Sequence, residues 1–480
     1  MNLDVNMIER LMKEIVGEVE EEDISSFIYS QAAVNLDTDT KQNYGIFETM
    51  DDAVEASAAA FAALTDATMA NRKEYIDVIR QTILVPENLE KISWAAVEET
   101  GIGCYEHKLI KNRLAAAKTP GVEDLPTKAL SGDEGLTLTE YCPFGVIGAI
   151  TPTTNPTETI INNSISMIAG GNTVVFSPHP RAKNVTCDLI MMLNRALIAI
   201  GAPENMIVTV KEPSIENTNR MMEHPKVRML VATGGPGIVY KVMSSGKKAI
   251  GAGAGNPPVV VDETADIKKA AKDIVAGSSF DNNVPCIAEK EVFAVQAVFD
   301  ELKNQMLANG AYELKGSAQI DKLVKLITND KGGPEVSFVG KSAAYILDKM
   351  GIQANTDVKV IIMEVDANHL LVNEEMMMPV LPLVRVHDVD QAIEYAHIAE
   401  HGNRHTAIIH SKNVDNISKM AKLMQTTIFV KNAPSYAGIG AGGEGHTTFT
   451  IAGPTGEGLT SARTFCRIRR CTMADALHIR

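Results

Sequence analysis

Apolar and polar residues along this chain follow two alternating periods, and the order of those periods predicts a layered α/β protein. Near the start, Ile8, Leu11, Met12, Ile15, Val16 and Val19 recur at helical spacing, with Glu9, Arg10, Lys13, Glu14, Glu18 and Glu20 on the other side. The acidic run Glu20 to Asp23 and the polar NLDTDTKQN from Asn35 read as linker. The short helix has two readings: it packs back on its own domain, or it docks into an apolar groove of a partner and orders on binding. From about Gly45 the pattern is that of a packed domain. An alanine-rich helix is predicted over Asp51 to Leu64 and a longer one over Arg72 to Gly101, and a Gly- and Pro-rich loop opens near Thr119. Then come VIGAI, a helix from Pro156 to Ala169, the strand TVVFS, a helix from Ala182 to Ile200, IVTV and VRMLVATGG. Strand and helix in turn imply a parallel sheet covered by helices.

A second α/β set follows FDNNVPCIAEK, Phe280 to Lys290. Before it, Ile267 to Ser279 has helical spacing; after it, EVFAVQAVF alternates like a strand. Cys286 thus sits in a loop between rigid elements, a sensible place for a nucleophile, although a free cysteine also serves as a small buried hydrophobe.

Two glycine-rich segments compete as phosphate cradles. Thr233-Gly-Gly-Pro-Gly237 lies between the strand-like Arg228 to Ala232 and the helical Ile238 to Ser244, so it can present backbone amides and a helix N-terminus to a pyrophosphate. Gly251-Ala-Gly-Ala-Gly255 looks more like a dinucleotide fingerprint by its letters, but it precedes the strand PPVVV and is in the wrong place for the Rossmann rule. In TPTTNPTETI, Pro156 fits the first helical turn, which puts Asn155 at the cap position. Its carboxamide either caps the helix or donates to an oxyanion.

Composition narrows the class. A chain of 480 residues exceeds one core and implies roughly two or three domains. With 45% apolar and 22% charged residues it is globular, and a net charge of −15 argues against nucleic-acid and anionic-membrane partners. The apolar runs are too short to span a bilayer and the N-terminus lacks the form of a secretory signal, so an intracellular protein is expected. Six scattered cysteines, with no C-x-x-C pair and no His/Cys cluster, predict neither disulfide nor metal site.

The chain resembles the aldehyde dehydrogenase superfamily from about Gly45 to Arg480. The resemblance rests on CPFGVIGAITPTTNPTET (Cys142 to Thr159), GNTVVFSPHP (Gly171 to Pro180), LVATGGPGI (Leu230 to Ile238), FDNNVPCIAEK and NEEMMMPVLPLV (Asn373 to Val384), in this order and spacing. It is most similar to the CoA-acylating branch, in particular the acetaldehyde and propionaldehyde dehydrogenases of bacterial microcompartments, of which the tail HTTFTIAGPTGEGLTSARTF (His446 to Phe465) is typical. The resemblance implies that Cys286 is the catalytic thiol, Asn155 the oxyanion-hole amide and His405 a proton carrier for CoA, with a structural histidine at a strand start as the other reading of His405. It also implies that Glu375 holds the nicotinamide ribose and that Thr233, Gly234 and Gly237 form the pyrophosphate turn. Thr151 and Pro152 are assigned to cofactor binding too, and Ser177, Pro178 and His179 to the adenosine ribose.

Two departures from the hydrolytic members matter. SPHP stands where they usually have Lys-Pro-x-Glu, which leaves the choice of NAD or NADP open. Where they carry the glutamate of E-L-G-G-K, this chain has Ala252, so the base for a deacylating water is absent and a thiol acceptor suits the vacancy.

The expected protein is therefore an aldehyde dehydrogenase-like α/β enzyme with a Rossmann-type cofactor domain, an α/β catalytic domain and a β oligomerisation arm. Its expected divisions are an amphipathic targeting helix at 1–22, a linker at 23–44, a dinucleotide-binding domain at 45–251 with an arm segment at about 125–142, a catalytic domain at 252–437 and an oligomerisation tail at 438–480. The expected reaction is reversible oxidation of a short-chain aldehyde, propionaldehyde or acetaldehyde, to acyl-CoA with NAD and CoA through a cysteine thioester. A homo-dimer or homo-tetramer in the lumen of a bacterial microcompartment is expected, bound to a shell protein through residues 1–22. The alternatives are a hydrolysing dehydrogenase that releases the free acid and a non-catalytic cargo protein.

Overall fold

The computed structural model describes residues 43–477 of the chain, so the helix expected over residues 1–22 lies outside the described residues. The chain divides into two compact units, the first built from residues 43–95, 111–252 and 446–477 and the second from 96–110 and 253–445. Two segments thus group differently from the expected linear division: residues 96–110 join the second unit and the tail after 446 joins the first.

The strands of the two parallel sheets are numbered here in chain order. The first unit holds β1 (Ile46–Phe47), β2 (Val146–Ile150), β3 (Thr173–Ser177), β4 (Ile207–Val210), β5 (Val227–Thr233) and β6 (Lys248–Ala252), in the spatial order β1-β4-β3-β2-β5-β6. Every pairing between them is parallel. From β2 the chain builds outward through β3 and β4, then crosses back to add β5 and β6 on the other side. The order therefore reverses between β2 and β5, where a doubly wound sheet opens a crevice at the carboxyl ends of its strands. Val54, Val146, Val175, Val208, Leu230 and Val242 form part of the core beneath.

The tail returns to this unit because its threonines satisfy a polar helix. Pro156–Ala169 is buried along its whole length, which leaves Asn162 and Asn163 in need of partners. Thr448 Oγ1 lies 3.1 Å from Asn162 Oδ1, and Thr450 Oγ1 lies 3.2 Å from Asn163 Oδ1. Beyond them Cys466–Ala474 pairs antiparallel with Gly135–Pro143, which forms a hairpin with Lys128–Gly132.

The second unit holds β7 (Pro258–Val261), β8 (Glu291–Val295), β9 (Ala311–Glu313), β10 (Val360–Glu364), β11 (Val380–Val386), β12 (Thr406–His410) and β13 (Ile428–Lys431), in the order β9-β10-β11-β8-β7-β12-β13. These pairings are parallel too.

Several predicted elements match within a residue or two, and two differ. The helix expected over Arg72 to Gly101 is two helices, Met69–Leu84 and Pro86–Thr100, because a proline disfavours helical backbone in the residue before it and Val85 has ψ 123°. The strand expected over EVFAVQAVF stops at Val295, and Gln296 opens the helix Gln296–Ala308, which buries Val298, Phe299 and Leu302. A short apolar run does not by itself distinguish the two periods.

Among the described residues no helix is long and apolar enough to cross a membrane, and no cluster of three or more His, Cys, Asp or Glu is placed to hold a metal ion.

Candidate active site

In the first unit the assigned cofactor residues and Asn155 converge at the carboxyl ends of three adjacent strands. Thr151, Pro152 and Asn155 follow β2, Ser177, Pro178 and His179 end or follow β3, and Thr233 and Gly234 end or follow β5. Thr151 N–H donates to Ser177 O at 3.2 Å and ties the first two loops together. Thr151 Oγ1 is buried and has no hydrogen-bond partner.

The turn after β5 leads into the helix Pro236–Met243, whose cap residue Gly235 offers no side chain to its first amides. Gly234 N–H is already committed to Ala252 O at 3.1 Å, and Pro236 has no N–H, so the donors left for an anion are those of Gly235, Gly237 and Ile238. A Cβ at Gly235 or Gly237 would meet nothing within 4 Å. The protein's own packing does not require glycine there, whereas a pyrophosphate laid against the backbone does. The bare turn and the orphaned Thr151 hydroxyl fit a dinucleotide. Of the residues assigned to the adenosine ribose, Ser177 Oγ lies 2.8 Å from Thr218 Oγ1 and is buried, while His179 is exposed and accepts from Arg181 N–H.

Asn155 caps the helix Pro156–Ala169 by position, yet its side chain makes no cap hydrogen bond. Its Oδ1 instead accepts from the ammonium of Lys111, which also lies 2.9 Å from Glu158 Oε1. Lys111 and Glu158 are fully buried, and neither was singled out from the sequence, since LIKNRL reads as an ordinary amphipathic helix turn.

In the second unit the assigned Cys286, Glu375 and His405 gather with Asn256 and Lys290 at the amino ends of four adjacent strands. Asn256 precedes β7, Cys286 and Lys290 precede β8, Glu375 precedes β11, and His405 precedes β12. The Cys286 loop is held from both sides. The helix Ile267–Ser279, capped by Asp266 on Lys269 N–H, ends in a tight turn where Asp281, Asn282 and Asn283 all take positive φ, 48°, 54° and 61°. Asp and Asn tolerate that left-handed backbone better than other side-chain-bearing residues.

Each also anchors the loop. The Asp281 carboxylate accepts from Cys104 N–H at 2.9 Å and lies 3.1 Å from the buried Lys108 Nζ. Asn282 Nδ2 donates to Gly103 O and Gly340 O, and Asn283 Nδ2 donates to Ser278 O and Glu289 O. Lys290 Nζ then donates to Asn283 O and Oδ1, at 2.9 and 2.7 Å. The signal for this clamp was present in FDNN, two asparagines and an aspartate in succession, but its partners lie far away in sequence.

Lys290 also lies 3.7 Å from Glu375 Oε1. Burial pushes its pKa down, and the negative charges of Glu375 and Cys286 oppose that. Burial pushes the Glu375 carboxyl up, countered by Lys290 and the Gly255 amide. Glu375, Gly255, Asn256, His401 and Asn403 line a cavity of about 360 Å³.

His405 is buried, 1% exposed. Its Nδ1 lies 2.9 Å from Thr406 Oγ1, its backbone N–H donates to Glu400 Oε1, and its Nε2 has no partner. Burial pushes its pKa down to about 4, with the Lys290 charge adding to the shift, so the imidazole is neutral at pH 7. The glycine segment that did not fit the Rossmann rule now has a reason of its own. A Cβ on Gly255 would stand 2.7 Å from Cys286 O and 2.9 Å from His405 Cγ, so only glycine passes between them.

The chain is similar to known proteins along most of its length. Residues 39–455 match the model of the aldehyde dehydrogenase family. A CoA-propanoylating propanal dehydrogenase of Citrobacter freundii is 49% identical over 94% of this chain and 97% of its own. A propionaldehyde dehydrogenase of Rhodopseudomonas palustris, solved with bound CoA and an acylated cysteine, is 63% identical at a TM-score of 0.90, covering 91% of this chain and 100% of its own. A propionaldehyde dehydrogenase from the fucose utilisation microcompartment of Clostridium phytofermentans is 51% identical at a TM-score of 0.89, again over 91% and 100%.

Proposed function

The chain belongs to the aldehyde dehydrogenase family, and on that premise we propose that it oxidises a short-chain aldehyde, propionaldehyde or acetaldehyde, to the acyl-CoA, with NAD as acceptor and CoA as acyl carrier. Residue 252 carries the choice of acceptor. It is a buried alanine at the end of β6, with no carboxylate to activate a deacylating water. The acyl group therefore waits for a better nucleophile than water, and a thiol is one. The relatives named above for CoA-acylating chemistry support the same reading.

In this mechanism the Cys286 thiolate adds to the aldehyde carbon, and the former carbonyl oxygen becomes an oxyanion that accepts from the Asn155 amide. A nicotinamide dinucleotide, when bound, supplies the hydride acceptor. Glu375 would hold the nicotinamide ribose, the turn from Thr233 to Gly237 with Thr151 and Pro152 would receive the pyrophosphate, and Ser177, Pro178 and His179 would bind the adenosine ribose. Loss of hydride leaves a thioester on Cys286. His405, neutral and with a free Nε2, takes the proton of the CoA thiol, whose sulfur attacks the thioester and releases Cys286. Thioester exchange is near balance, so the enzyme also runs as an acyl-CoA reductase.

We further propose that residues 1–22 dock on a shell protein and bring the enzyme into a microcompartment lumen, a reading supported by the helical stripe and the origin of the Clostridium relative. The antiparallel arm, with Leu130 and Ile468 exposed to 66% and 69%, is suited to pairing with another copy in a homo-dimer or homo-tetramer.

The test follows NADH formation from propionaldehyde and NAD with and without CoA, on wild type and Cys286→Ala. Sustained turnover only with CoA, lost in the variant, is expected. Steady CoA-independent turnover would mean that water deacylates the enzyme and would overturn the acylating assignment. Deleting residues 1–22 should leave soluble activity intact and abolish co-purification with shells; lost solubility would mean that the helix belongs to the fold.

A further inference from the structure

We propose that Lys111 is a positioning residue for the reaction, its buried ammonium gripping the carbonyl end of the Asn155 carboxamide so that the amide nitrogen is presented to the oxyanion. The inference rests on the reading of Asn155 given above and goes beyond it by naming what orients the group.

A carboxamide has two ends of nearly equal shape and opposite function, and an oxyanion needs the donor end. At a helix cap the easy arrangement is the opposite one, with Oδ1 accepting from the first amides of the helix. Asn155 does not adopt it. Its Oδ1 faces Lys111 Nζ, and an ammonium has three donors and no acceptor, so it tolerates only the oxygen end. Nδ2 is thereby turned the other way. Its hydrogen bond to Thr154 Oγ1 is long, 3.3 Å, and uses one of its two hydrogens. The charge has a second effect: a cation on the amide oxygen draws electron density from the nitrogen and makes its N–H a stronger donor.

The surroundings indicate a purpose other than stability. Both Lys111 and Glu158 are wholly buried, with Nζ 2.9 Å from Glu158 Oε1. A buried ion pair is weak evidence for stability, since apolar residues of the same volume often serve as well. Glu158 lies on the helix that Asn155 opens, three residues along, so the pair fixes the cap residue to the helix Tyr105–Lys118, which carries Lys111.

The experiment uses the full-length protein with propionaldehyde, NAD and CoA. Lys111→Met with Glu158→Met removes both charges together and avoids stranding one of them, while Lys111→Gln with Glu158→Gln keeps an uncharged donor for Asn155 Oδ1. The Met pair is expected to lower kcat about 10-fold to 100-fold with KM for the aldehyde within about 3-fold, and the Gln pair to recover most of the loss. In an Asn155→Ala background the Met pair is expected to cost no more than a further 2-fold or so, because the group it orients is gone. Wild-type kcat in the Met pair, or an equal loss with and without Asn155, would overturn the proposal. If the Met pair does not fold, the Gln pair decides on the same grounds: its small loss must vanish in the Asn155→Ala background, and a full additive loss would overturn the role. The reading of Asn155 fails separately, if Asn155→Ala alone lowers kcat less than about 10-fold.

Discussion

Lys290 and Glu375 bring opposite charges to 3.7 Å at the amino ends of the neighbouring strands β8 and β11, and the same ammonium interacts with Cys286. One buried cation thus acts on two groups, the carboxylate assigned to cofactor binding and the sulfur assigned to attack. A change to either partner should alter what the other receives.

Replacing Lys290 by Met should slow alkylation of Cys286 by iodoacetamide at pH 7, because the positive charge that favours the thiolate is gone. Glu375→Gln should leave that rate unchanged or higher, because the ammonium is then shared with one anion fewer, while weakening cofactor binding. Equal slowing in both variants would mean that the cation does not act on the sulfur.

Asn155→Asp keeps an acceptor for Lys111 and removes the donor, so it separates catalysis from packing. Turnover should fall by about 10² to 10³ while the melting temperature stays close to wild type. An active Asn155→Asp enzyme would show that the carboxamide has no oxyanion to serve.

Gly255→Ala tests the close passage between Cys286 and His405. The added methyl meets a backbone oxygen at 2.7 Å, which has no freedom to swing aside, so the loop itself must shift. Activity should drop at least about 10²-fold, since a displacement of an ångström at the reacting atoms costs that much. Near-normal kinetics would show that the Cys286 loop tolerates displacement.

The pH dependence of His405 has a definite sign. Its folded pKa, about 4, lies below the ordinary 6.5, so the unfolded chain binds the proton first as pH falls. Its contribution to stability is present above pH 6.5 and is lost progressively as the pH falls toward 4. The melting temperature should therefore decline between pH 7 and 5 in wild type and less so in His405→Gln. His410, pushed down by burial to about 3, adds a parallel decline that His405→Gln leaves in place. In activity, no inflection near 6.5 is expected from His405, because its imidazole is already neutral there.

The repeating α/β units, the loop that carries Cys286 and the turn from Thr233 to Gly237 were legible in the amino-acid order, because these depend on local periods and on glycine and proline chemistry within a few residues. The sequence also held the family motifs in order, which carried Asn155, Glu375 and His405 as candidates. What it could not hold was the placing of segments far apart in the chain. Strand order brings Asn256, Cys286, Glu375 and His405 together at the amino ends of adjacent strands, and that order is a property of packing. Nothing local in LIKNRL marks Lys111, and only burial sets it on Asn155; Gly255 belongs by its letters to a phosphate motif, and only the fold passes it between Cys286 and His405. Local sequence fixes backbone conformation through sterics and hydrogen bonding at short range. Burial, and with it the protonation and orientation of a buried side chain, is fixed only by what the rest of the chain lays against it.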